Sequence, residues 1–326
     1  MCLYPRLIKN KKYLPTKKNN YNPQICDDER KLWVPIKCGK CIECRRQIGR
    51  EWKARLCEEI RNNNTGKFVT LTFTDNYLKE LEKEIEIKSK DEKIKDNEIA
   101  TLAVRRFLER WRKETKKSVK HWLITELGQN ETERIHLHGI IFTDKDNNFI
   151  AEKWKYGNVY IGEFVNEKTI NYITKYCTKI DTKHKGYQAK ILCSKGIGEG
   201  YLKRQDWKKN IYKRNETNET YTTRQGVKIN LPIYYRNKIY TEEERENLWI
   251  EKLDKKERWI LGERIDISEN EEEYEKKLEF AQIYNKQLGY GDLSEEWSRE
   301  KYKKDRENLK KYIYFANIEK RMKKKL

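Results

Sequence analysis

Apolar residues recur along the chain with two different periods, and the switches between them mark the expected elements. Over residues 45–62, Ile48, Trp52, Leu56 and Ile60 fall on one helical face, with Arg and Lys opposite. Residues 67–74 alternate and are rich in β-branched and aromatic side chains, which predicts a strand entered from the turn at Asn64-Thr65-Gly66. Residues 77–98 read as a Lys/Glu-rich solvated stretch, and 99–117 as an amphipathic helix carrying Leu102, Phe107, Leu108 and Trp111. Two strands are expected at about 121–127 and 134–142, joined by the polar run 128–133. A short strand near 157–164 leads into a helix with Asn166 as its N-cap, running to about Ile180. Residues 1–44 read as irregular, broken by Pro5, Pro15, Pro23 and Pro35, and beyond about residue 240 the pattern is charged helix. Strand, helix, strand, strand, strand, helix predicts an α+β fold with a central antiparallel sheet.

Composition adds a partner class. Lys and Arg number 73 against 53 Asp and Glu, a net charge of +20, which favours a polyanion because each neutralised phosphate releases counterions. Only 36% of residues are hydrophobic, so a modest core with much solvated helix is expected. The 21 Tyr and 9 Trp supply packing area and flat surfaces for unpaired bases. No stretch approaches the roughly 20 apolar residues that cross a bilayer, and the first residues lack a secretory pattern. No Gly-x-x-x-x-Gly-Lys-[Ser/Thr] loop occurs, which argues against an ATP-driven motor. The basic run Lys320, Arg321, Lys323, Lys324 and Lys325 suits phosphate tracking or plain solvation.

Two constellations suggest chemistry. Residues two apart on a strand share a face, so His136 and His138 present both imidazoles together while Ile135 and Leu137 enter the core. Glu126, on the preceding strand, can add a hard oxygen, and that donor set favours Mg²⁺ or Mn²⁺. Gly139 leaves room for close backbone approach. A His-x-His on a strand is often only a surface pair, and two His with a carboxylate also describe a non-haem iron triad. On the helix, Tyr172 and Tyr176 are i and i+4, placing both phenols on one face, with Lys175 and Lys179 on the neighbouring one. A phenol can attack a metal-polarised phosphodiester, although a helical Tyr pair by itself is usually packing.

Cys38, Cys41 and Cys44 have a spacing that suits a structural Zn²⁺, with Cys26 or Cys57 as the fourth ligand. The alternative is three reduced thiols at the mouth of a helix. Gly196, Gly198 and Gly200 lack a preceding Rossmann strand and read as a backbone turn near DNA.

Taken in order, Phe68-Val69-Thr70-Leu71-Thr72-Phe73, Glu126 with His136-Leu137-His138-Gly139, and Tyr172-Ile173-Thr174-Lys175-Tyr176 resemble the three motifs of HUH-type rolling-circle initiators. More narrowly, the chain resembles replication initiation proteins of the Microviridae, in the gokushovirus-like branch. The stretches 38–44, 172–179, 194–202 and 231–235 carry that likeness, which covers about residues 30–240. It departs at Thr125-Glu126-Leu127-Gly128, where the family has Gly-Glu-Tyr-Gly.

The resemblance implies a sheet of about five antiparallel strands flanked by helices. Mg²⁺ or Mn²⁺ would sit on His136, His138 and Glu126, with Tyr172 and Tyr176 as nucleophiles and Lys175 beside them. It further implies nicking and rejoining of single-stranded DNA at a viral origin through a 5′-phosphotyrosine, in the cytoplasm of a bacterial host, with host helicase and DNA polymerase. Three regions follow: a Cys-containing segment and helix (1–62), an HUH-type endonuclease domain (63–240) and a charged helical region (241–326). Rival readings are a non-catalytic nucleic-acid binder, with the cysteines as a zinc module, and a plasmid initiator or transposase.

Overall fold

The alternating segments become strands and the segments of longer period become helices, in a computed structural model that describes residues 1–85, 92–129, 132–162, 164–181, 183–184, 186–291 and 297–323. Strand β1 (Arg6–Lys9) pairs antiparallel with β2 (Trp33–Ile36), and α1 (Ile42–Asn62) follows. Then come β3 (Gly66–Leu71), α2 (Asp75–Glu84), α3 (Glu92–Thr115), β4 (Lys120–Leu127) and β5 (Ile135–Phe142). Next are α4 (Asn147–Trp154), β6 (Val159–Gly162), α5 (Glu167–Lys175) and β7 (Ile191–Cys193). The hairpin β8 (Thr220–Thr222) and β9 (Lys228–Asn230) precedes α6 (Ile233–Ile239) and α7 (Glu242–Asp254). A further hairpin, β10 (Glu257–Ile260) and β11 (Glu263–Asp266), is followed by α8 (Glu272–Gln287) and α9 (Arg299–Lys323).

Two compact units result. One comprises 46–211 and 219–236; the other gathers 1–45, 212–218 and 237–326. The first holds the five-stranded antiparallel sheet, in the order β6-β3-β5-β4-β7, as the antiparallel α+β pattern predicts. Alternation along β5 explains its two cores. Ile135, Leu137 and Ile141 join Val69, Leu71 and Leu123 against Val104, Phe107 and Trp111 of α3 and Trp154 of α4. Ile140 and Phe142 turn to the opposite face, where Leu56 of α1 and Ile170 and Ile173 of α5 cover them with Trp122 and Ile124. Burying such side chains contributes roughly 1.5–3 kcal/mol each.

Three local expectations change. Residues 1–44 are not wholly irregular, because Leu7 and Trp33 pack on a small cluster with Ile250 and Leu309 and β1 pairs with β2. The solvated stretch begins as α2, capped by the Thr74 side chain, with Leu78, Leu81 and Ile85 at helical spacing on the core. The charged C-terminal region contains the β10–β11 hairpin, whose Ile260 and Ile265 are buried with Tyr274 and Leu278. In the basic run near the C-terminus, the side chains of Lys320, Arg321 and Lys323 and the whole of Lys324 and Lys325 lie outside the described residues.

Candidate active site

The β4–β5 register places Glu126 opposite His136, and Ile124 opposite His138. Register and strand alternation therefore put the carboxylate and both imidazoles on one face. Glu126 Oε2 lies 3.1 Å from His136 Nε2 and 2.9 Å from His138 Nε2. Candidate ligand atoms of the three residues all lie within 4.8 Å of one another. A donor set of two imidazoles and one carboxylate, convergent at that spacing, fits a divalent cation.

Neighbours orient the donors. His136 Nδ1 is 3.2 Å from the Arg134 carbonyl. A carbonyl only accepts, so this bond requires the proton on Nδ1 and leaves the Nε2 lone pair toward Glu126. Thr70 Oγ1 sits 3.0 Å from His138 Nδ1 and plays the matching part for the second imidazole. Burial opposes charge on Glu126, but hydrogen bonds from His136, His138 and Lys179 outweigh it and hold the carboxyl well below its usual range.

Helix α5 carries the phenols to the same place. Asn166 caps its N-terminus, accepting from Lys168 and Thr169 backbone N–H groups. The helix ends at Lys175, short of the expected Ile180, and Tyr176 is its C-cap. Beyond it the backbone closes into turns, with Cys177 N–H donating to the Thr174 carbonyl at 3.1 Å and Thr178 N–H to the Lys175 carbonyl at 2.9 Å. Tyr176 donates its hydroxyl to Tyr172 Oη at 2.7 Å, and its ring stacks on His138 at 4.6 Å with 9° between planes. Burial, then the bond to Tyr172, raises the Tyr176 phenol well above its usual value. Tyr172 is 46% exposed and Tyr176 only 9%.

Lys175 is exposed, whereas Lys179 reaches Glu126 and lies 5.6 Å from the Tyr176 ring centroid. Thr70, with Phe68 edge-on to Tyr172, was readable only as part of the 68–73 motif; its position two residues beyond Phe68, on the same strand face, is the signal. Gly139 lies where β4 crosses so closely that an added Cβ would come 2.0 Å from the Trp122 carbonyl oxygen. The Thr125 that departs from the family pattern is buried, donating to Asn97 Oδ1 at 2.6 Å and accepting from Tyr187 and from Lys190 N–H at 2.8 Å. Gly198, at φ +77, brings its backbone against Arg55 of α1, so that glycine serves packing.

The three cysteines of the 38–44 motif come together in the other unit, and the residue that joins them is Cys2, not Cys26 or Cys57.

Residues 66–181, which hold the whole of this constellation, match the family model of ORF2-type replication-associated proteins. The chain is also 25% identical over 164 residues to the replication-associated protein VP4 of Bdellovibrio phage phiMH2K, covering 44% of this chain and 47% of the relative. These matches support a phage replication initiator. The chain thus spans about half the length of the curated relative it matches. No solved structure matches. No helix among the described residues is long and apolar enough to cross a membrane.

Proposed function

We propose that this chain initiates rolling-circle replication by nicking and rejoining single-stranded DNA at a viral origin, with tyrosine as nucleophile. The observation that carries the reading is convergence: two imidazoles and a carboxylate within 4.8 Å, with two hydrogen-bonded phenols, one stacked on His138. Glu126, His136 and His138 would hold Mg²⁺ or Mn²⁺, which supplies Lewis-acid polarisation of the scissile phosphate.

The chain's own residues supply the rest. Tyr172, the more exposed phenol, attacks first, its oxygen bonding to phosphorus as the bond from phosphorus to O3′ breaks. The products are a 5′-phosphotyrosine and a free 3′-hydroxyl. The Tyr176 hydroxyl, donating to Tyr172 Oη, stabilises the charge that grows there. Tyr176 is then placed for the second attack, which releases the first covalent end and permits rejoining. Lys175 and Lys179 are placed to meet phosphate oxygens, and exposed Tyr160, edge-on to Phe68, offers a face for an unpaired base. Strand separation and synthesis fall to a host helicase and DNA polymerase, in the bacterial cytoplasm.

The test is incubation with labelled single-stranded oligonucleotides tiling the phage genome, with Mn²⁺, followed by denaturing electrophoresis. A covalent adduct is expected, lost in the Tyr172→Phe/Tyr176→Phe double variant. His136→Ala should abolish cleavage while keeping most DNA binding. Wild-type binding without any adduct identifies a non-catalytic DNA-binding protein and overturns the reading, as does an adduct that survives in the double variant.

A further inference from the structure

The cysteines lie outside the nicking chemistry, and their arrangement is independent of it. Cys2, Cys38, Cys41 and Cys44 bring four sulfurs within 4.8 Å of one another, and all four are free thiols. Cys38 Sγ and Cys44 Sγ are 3.8 Å apart. A disulfide needs about 2.05 Å, whereas four thiolates around one zinc, each about 2.3 Å from the metal, stand roughly 3.8 Å from one another.

The surroundings are those of a thiolate cage. Backbone N–H groups point at three of the sulfurs: Cys38 N–H to Cys2 Sγ at 3.2 Å, Cys41 N–H to Cys38 Sγ at 3.3 Å, and Leu3 N–H to Cys41 Sγ at 3.5 Å. Such donors favour the charged sulfur. Gly39, at φ +76, makes the left-handed turn that lets Cys38 and Cys41 face one centre. Cys44 sits in the first turn of α1, where the helix dipole also favours a thiolate. Cys2, Cys41 and Cys44 are buried in one cluster with Tyr274, Leu278 and Ala281.

We propose that Cys2, Cys38, Cys41 and Cys44 form a closed, structural Zn²⁺ site that staples the first residues of the chain to the start of α1. Three neighbouring contacts share the load of holding that segment. Gln282 donates to the Leu3 carbonyl at 2.7 Å, Asn285 Oδ1 accepts from Ile42 N–H at 2.8 Å, and the Trp297 indole donates to the Pro5 carbonyl at 3.0 Å. A four-sulfur set leaves no open position, so the ion is structural and not catalytic.

The test is elemental analysis of the full-length protein, with chelator competition and Co²⁺ substitution. One zinc per chain is expected, with an intense thiolate-to-cobalt charge-transfer band after exchange. Cys2→Ser should weaken zinc retention at least tenfold, while Cys26→Ser, Cys57→Ser and His136→Ala retain it. Because Cys2→Ser can also impair folding, Cys2→His serves as the second variant: it should keep zinc and shift the cobalt spectrum. Zinc held equally well by Cys2→Ser, zinc lost with His136→Ala instead, an iron in place of zinc, or a wild-type chain that takes up no zinc would each overturn the proposal.

Discussion

Gly139 shows how much one side chain controls. It lies between His138 and Ile140 in the middle of β5, and any Cβ there would drive into the Trp122 carbonyl. Gly139→Ala should therefore cost at least about 3 kcal/mol, because backbone on a central strand cannot yield as a flexible side chain can. Urea unfolding followed by tryptophan fluorescence measures this, with Trp122 itself at the contact. A loss under about 1 kcal/mol (near the range of ordinary surface substitutions) would show that the strands separate without penalty. The same scale divides what could be read from sequence. Two-residue and four-residue spacings placed His136 with His138 and Tyr172 with Tyr176, because those periods are local geometry. Thr70 and Lys179 meet their partners across 68 and 53 residues of chain, and no local period encodes such a meeting.

At the scale of elements, the sheet's edge is the informative place. Strand β7 pairs with β4 over Trp122–Cys193, Leu123–Leu192 and Ile124–Ile191, and Ser194 extends the pairing to His121. His121 is buried, and that burial lowers its pKa. The unfolded chain, with a His pKa of about 6.5, binds a proton that the folded chain resists, so stability falls as pH drops below that value. The slope is at most about 1.4 kcal/mol per pH unit for one group. His184 works with the opposite sign: burial lowers its pKa, but Asp181 and Glu133 more than offset this and raise it, so its contribution holds at low pH and fades as pH rises through the folded value. Melting at pH 7.5 and 5.5, compared with His121→Gln, isolates the first effect. The variant should lose less stability on acidification, and an unchanged difference would exclude His121 as the cause. Helix α2 and the β1–β2 pair escaped the sequence reading because each has few apolar residues, and their partners are distant in the chain.

For the whole molecule, the net charge of +20 is a property no single site owns. If the proposed function holds, affinity for single-stranded DNA should fall steeply with salt. A footprint of about six to ten phosphates gives a log–log slope of about −4 to −7. Fluorescence anisotropy over a salt series measures it, and a slope near zero would mean that charge does not supply the binding.

The amino-acid sequence by itself determined the α+β class, the central antiparallel strands and both halves of the candidate site, because alternation and helical spacing are written into neighbouring residues. Only the tertiary structure decided that Cys2, 36 residues before Cys38, completes the four-sulfur cluster, and that residues 1–45 share a compact unit with 237–326. The physical reason is common to both. Burial of scattered apolar side chains selects among distant pairings, and that choice depends on the path of the whole chain rather than on any window of it.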